Sequence, residues 1–129
     1  MGSKRSDMMK RLLMLLPFLL FAGEDFISHY EYGEMLYANP RGVSCVQCHG
    51  KKGEGTVIVT YKDVGGKQVL KGADIRKETL QSMINSVNTY HKVMPRYYLT
   101  DEEVTAIYDY LKIKNRHYLE KFEENTTIK

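Results

Sequence analysis

Five consecutive residues, Cys45-Val46-Gln47-Cys48-His49, combine two thiols and an imidazole at a spacing that can do chemistry. On a helical turn the cysteines, three residues apart, project their sulfurs from one face, and the histidine follows at once. In the order C-x-x-C-H, two thiols become thioether bonds to a haem and the histidine ligates its iron. Other uses fit less well. A structural zinc ion takes four ligands, and His29, His91 and His117 stand in no ligand spacing with the three residues present here. A thioredoxin-type dithiol opens a helix after a βαβ pattern, and none precedes Cys45. A disulfide closed across two intervening residues would be strained. Cys45 and Cys48 are the only cysteines of the chain, so its sulfur chemistry is confined to this point.

An iron held by His49 needs a ligand on its other side. Met94, in a loop immediately before Pro95, is the leading candidate, because a thioether is a soft ligand and Met/His ligation raises the reduction potential. His91, three residues away, is its rival. Met35 and Met83 fall on apolar helix faces, where packing is the default role. Tyr97 and Tyr98, next along the chain, either line the haem edge or pack. No second C-x-x-C-H and no distal His/Arg pair is present, so the chain reads as a carrier and not as an enzyme.

Several elements must position these residues. The pattern predicts a helix over 24–38, ended by Asn39-Pro40, with Gly33 inside it. Glycine there suits a second helix crossing closely. Thr100-Asp101-Glu102-Glu103 is a capping box opening a helix whose Val104, Ile107, Tyr108 and Leu111 form one apolar face. A shorter helix is expected over 78–88, with Leu80, Met83, Ile84 and Val87 on one side. Thr56–Tyr61, the turn residues Asp63-Val64-Gly65-Gly66 and Lys67–Leu70 read as a small hairpin. Residues 115–129 read as a polar C-terminal extension.

At 129 residues the chain has room for one small domain. Residues 1–11 are basic and Leu12–Ala22 is an apolar run, a pattern that reads as a secretory signal over 1–22, or an anchor if it stays uncleaved. Without that segment the acidic and basic residues balance at 15 each, which gives no reason to expect a nucleic-acid partner. The balance is uneven along the chain: residues 41–100 hold 10 basic and 4 acidic side chains, a surplus that can orient a docking protein.

Together these pieces resemble a mono-haem class I cytochrome c of the bacterial periplasmic type. The likeness spans about residues 31–113 and rests on Gly33-Glu34-Met35-Leu36-Tyr37, Cys45-Val46-Gln47-Cys48-His49-Gly50, Gly53-Glu54-Gly55, Leu70-Lys71-Gly72, Met94-Pro95 and Leu99-Thr100-Asp101-Glu102-Glu103. It implies an all-α class I cytochrome c fold, three to four helices around one covalent haem, with a hairpin insertion near 56–70. The domain then covers 23–114. It further implies haem c held by Cys45 and Cys48, His49 and Met94 as iron ligands, and Gly33 and Tyr37 meeting the C-terminal helix near Ile107, Tyr108 and Leu111. The function implied is electron carriage in the periplasm, as a monomer, between a membrane reductase and a terminal oxidase or peroxidase. The alternatives are a membrane-anchored subunit of a respiratory complex, or a sensor or enzyme domain whose sixth ligand is labile. Two features depart from the resemblance. Residues 53–61 contain no proline to offer a carbonyl to His49 Nδ1, and the hairpin is longer than a minimal loop.

Overall fold

The computed structural model describes residues 26–127. Helix α1, His29–Ala38, starts where Ser28 caps it: Ser28 Oγ accepts from the Glu31 amide, and the Glu31 carboxylate accepts from the Ser28 amide. This reciprocal cap sets the true start, later than the expected boundary at residue 24, and leaves Phe26 and Ile27 outside the helix and exposed. Helix α2, Cys45–His49, is little more than one turn. Strands β1, Val57–Asp63, and β2, Gly66–Lys71, pair antiparallel as the expected hairpin. Helix α3, Leu80–Asn88, is capped by Thr79, and α4, Asp101–Lys114, by the Thr100/Glu103 capping box. The extension forms a further helix, α5, Arg116–Thr127, with no buried residue. The described residues thus carry five helices where three to four were expected, the surplus coming from the extension and the short motif helix.

Helices α1 and α4 cross, and the crossing is as close as two backbones allow. A Cβ on Gly33 would sit 2.0 Å from the Ala106 carbonyl oxygen. Tyr110 packs beside it, its ring centroid 5.1 Å from that of Tyr30 and 5.7 Å from that of Tyr37. The buried arc of α4 is therefore wider than the single stripe expected. Val104, Ile107 and Leu111 are buried as predicted, Ala106 and Tyr110 are buried as well, and Tyr108 is only half-buried. Two neighbours explain this, since α4 packs on both α1 and α3.

Met35 is the exception on α1. It is 55% exposed, because at 100° per residue it lies on the far side of the helix from Gly33, Leu36 and Tyr37. Met83 packs in the core as expected.

Polar contacts at the end of this layer hold the segment that leads into α2. Arg41 adopts a left-handed backbone, φ 60°, uncommon for a residue with a side chain. Its guanidinium grips both Glu103 oxygens, at 2.8 and 2.7 Å, and also donates to the Tyr98 carbonyl. Those guanidinium bonds, with the Thr100 amide next, hold the Glu103 carboxyl down at about 2.

Two outcomes are expected. Gly33→Ala forces the helices apart and lowers stability by roughly 1–3 kcal/mol in denaturant unfolding. The stabilisation from Glu103 is complete above its ordinary value of 4.5 and is lost as pH falls toward 2. Glu103→Gln should therefore flatten the acid limb of the stability–pH curve, while wild type loses stability steadily through that window.

Candidate haem-binding site

Helix α2 is too short to stand by its own hydrogen bonds, and the chain that follows caps it. The Gly50, Gly55 and Thr56 amides donate to the carbonyls of Val46, His49 and Cys48 at 2.9, 2.7 and 3.0 Å. Thr56 Oγ1 donates to Gln47 at 3.0 Å. Gly50, φ 80°, and Gly55, φ 81°, use the left-handed region that these turns require. The buried Tyr37 hydroxyl donates to the Gly50 carbonyl at 2.6 Å and ties the motif to α1. Burial first, and then the neighbouring negative charges, push that phenol far above its ordinary range.

The acceptor for His49 comes from beyond the hairpin. Nδ1 lies 2.8 Å from the Ala73 carbonyl oxygen. A carbonyl only accepts, so the proton sits on Nδ1 and Nε2 keeps its lone pair for a metal. Gly72 makes this possible: a Cβ there would lie 1.7 Å from the Cys48 carbonyl oxygen. The Gly72 amide also donates to Thr56 at 2.8 Å, closing the hairpin base against the end of α2.

Beside this turn lie two open chambers of about 320 and 180 Å³. Cys45, His49, Ala73, Met94 and Tyr97 line both. The larger is walled by side chains of α3 and α4, among them Met83, Val87, Val104 and Ile107. The smaller is walled by Cys48, Ile58, Leu70, Val93 and Pro95. The Tyr97 hydroxyl donates 2.7 Å to the Val43 carbonyl, and burial pushes its phenol up to about 12. Tyr98 is 79% exposed and takes no part in either wall.

The structure therefore brings Cys45, Cys48, His49 and Met94 to one place. His91 also lines the larger chamber, but its Nε2 is 2.9 Å from the Ser86 carbonyl and donates there. His29 and His117 are elsewhere, His29 bridging to Asp109 at 2.9 Å and His117 facing Glu120. Among the described residues no group of three or more His, Cys, Asp or Glu side chains is arranged to hold a bare metal ion. Burial, and then the neighbouring Cys48, pushes the Cys45 thiol up to about 11, which is unlike the lowered value of a dithiol nucleophile. An imidazole nitrogen, a thioether and apolar walls suit iron in a flat macrocycle better than a hard cation. Sequence reasoning missed the Ala73 carbonyl, whose one pointer was the glycine of Leu70-Lys71-Gly72, and placed Tyr37 against the C-terminal helix without its hydroxyl bond to Gly50.

A C-x-x-C-H turn capped by its own downstream chain, facing apolar chambers beside a helix crossing, defines a c-type cytochrome domain. The family model described as cytochrome C oxidase, cbb3-type, subunit III matches residues 29–111, more than half of the chain, and the protein belongs to that family of class I c-type cytochromes. Membership implies haem c and a haem-based electron carrier. Neither the curated proteins nor the solved structures contain a match.

Gly72→Ala should separate the hairpin base from Cys48 and pull the Ala73 carbonyl off His49. The expected readout is loss of the protected Nδ1–H resonance of His49 in NMR spectra, with a fall in the unfolding midpoint.

Proposed function

We propose that this chain is a one-electron carrier that holds one haem c by thioether bonds at Cys45 and Cys48, with His49 and Met94 as its axial ligands. The observation that carries this reading is that His49 and Met94 line the same two chambers while the Nδ1–Ala73 bond leaves Nε2 free to ligate. When bound, haem supplies an Fe(III)/Fe(II) couple, whose potential Met/His ligation raises. The protein's own residues do the remaining work. Ala73 fixes the tautomer and ring plane of His49. Met94 offers a soft sulfur on a loop anchored by the Tyr97–Val43 bond. Met83, Val87, Val104 and Ile107 of α3 and α4 supply apolar wall on one side of the site. Were His49 and Met94 both to hold the iron, oxygen or peroxide would find no ready place to bind, which favours carriage over catalysis.

The basic and apolar pattern of residues 1–22, which lies outside the described residues, supports export to the periplasm. The partners fitting that location are a membrane reductase on one side and an oxidase or peroxidase on the other. The matched family favours a second reading, because its description is that of an oxidase subunit. A retained Leu12–Ala22 would make the chain a membrane-anchored subunit. Among the described residues no helix is long and apolar enough to cross a membrane, so an anchor would have to come from that segment.

The deciding experiment is spectroscopy and potentiometry of wild type and Met94→Ala. Loss of the Met–Fe(III) charge-transfer band and a drop of roughly 0.2 V, within the ~0.8 V range that axial ligands command, are expected in the variant. Wild type that lacks the band and binds carbon monoxide when reduced would sink the closed His/Met site in favour of a sensor or enzyme. The intact mass of membrane-purified protein separates the other two: retention of residues 1–22 means an anchored subunit, and their absence means a free carrier.

A further inference from the structure

The haem site accounts for only part of the hairpin: Ile58 and Leu70 line the smaller chamber, but Val57, Lys62, Lys67 and Val69 line neither chamber and join no core cluster. Thr56 and Gly72 are already bonded across its base at 2.8 Å, so the chain could pass between them without residues 57–71. A two-stranded hairpin is marginal by itself in water, and every residue of β1 is exposed. Its register adds a cost. Lys62 and Lys67 are direct cross-strand partners, so two ammonium-bearing side chains leave the same face side by side, an arrangement that destabilises a strand pair.

Alternation along β2 puts Lys71 and Val69 on that face with Lys67, all three exposed, while Gly66, Gln68 and Leu70 turn the other way and are half-buried. Val57, the partner of Lys71, is 58% exposed and Val69 54%. Asp63 does not answer the lysines. It pairs with Gly66 on the opposite face, where its Oδ1 accepts from the Gly65 amide and the Gln68 side chain. Among the described residues none of the three lysines enters a salt bridge. Lysines on an exposed edge also deter strand addition, but that role does not require two of them to face each other beside the turn.

The hairpin also reaches the redox site. Ile58, Leu70 and Lys71 line the smaller chamber together with Val93, Met94 and Pro95. A lipid bilayer offers negative charge but nothing to take an electron, so a cationic face that ends at this chamber favours a protein.

We propose that the outer face of the hairpin, Lys62, Lys67 and Lys71 interleaved with Val57 and Val69, docks an acidic protein surface belonging to the electron-transfer partner and seats it against the smaller chamber. The proposal rests on the carrier reading above. Negative charge on the partner relieves the lysine repulsion, and the exposed valines lose water on contact.

The test uses the purified holoprotein and poly-L-glutamate as an acidic probe, with vesicles of phosphatidylglycerol in parallel. A Lys62→Glu/Lys67→Glu variant is compared with Lys51→Glu/Lys121→Glu, which changes net charge equally away from the hairpin. The absorption spectrum and potential are recorded first, because a chain purified without covalent haem overturns the carrier reading and this proposal with it. With haem and potential normal, the hairpin variant should bind poly-L-glutamate about tenfold more weakly and the control variant less than about twofold. The bound peptide should also slow oxidation by ferricyanide in wild type. Equal weakening in both variants would reduce the effect to net charge and overturn the docking face alone. Poly-L-glutamate binding unchanged in the hairpin variant, with vesicle binding lost in it, would overturn the docking face in favour of an anionic bilayer.

Discussion

The contact on which the rest of the molecule depends is the one between Gly33 and the Ala106 carbonyl. It lets α1 and α4 meet backbone to backbone, and it brings the rings of Tyr30, Tyr37 and Tyr110 together at the same level. Dispersion across so close a crossing is large in sum and falls steeply with any gap, so the two helices hold one distance. Tyr37 then stands where its hydroxyl reaches Gly50, and Val104 and Ile107 present their side chains to the larger chamber. The wall behind the motif turn is thus set by a helix pair outside it, one member of which, α4, is distant from it in sequence.

The motif turn is held by a second close approach, Gly72 against the Cys48 carbonyl. Hydrogen bonds from Gly55, Thr56 and Gly72 stitch the turn, the hairpin base and the returning chain into one unit, and Ala73 emerges under the His49 ring. A carbonyl from the chain beyond the hairpin thereby serves where the family resemblance led one to look for a proline in residues 53–61. The inserted strands leave this arrangement intact because their ends are closed before Ala73 is reached.

The C-terminal segment has a structural part as well. Lys112 donates through Nζ to the carbonyls of Arg76 and Glu78, both at 2.9 Å, and the buried Asn115 donates to the Lys52 carbonyl at 2.7 Å. On α5, Tyr118 and Phe122 lie under Arg76 and Lys77 at 3.8 and 3.7 Å. Lys112 near the end of α4, with Tyr118 and Phe122 of α5, therefore braces the segment just after Ala73. The polar composition of the extension concealed this, because its aromatic rings meet cations of another segment and bury nothing completely.

By itself the sequence determined what local physics decides. The C-x-x-C-H turn, the Thr100/Glu103 cap, the reversal between Asp63 and Gly66 and the Asn39-Pro40 stop each act over a few residues, so residue type and spacing suffice to read them. The closeness demanded at Gly33 was also legible, since an unfavourable glycine inside a helix calls for a neighbour. The Ser28/Glu31 cap was equally local and was passed over for the apolar residues ahead of it. Only the tertiary structure decided which carbonyl holds His49, because a backbone oxygen carries no side-chain signature and Ala73 lies 24 residues away. It likewise decided that Ala106 and Tyr110 are buried while Met35 is not. Periodicity marks the apolar stripe of a helix, but the number and direction of its neighbours set how wide the buried arc becomes.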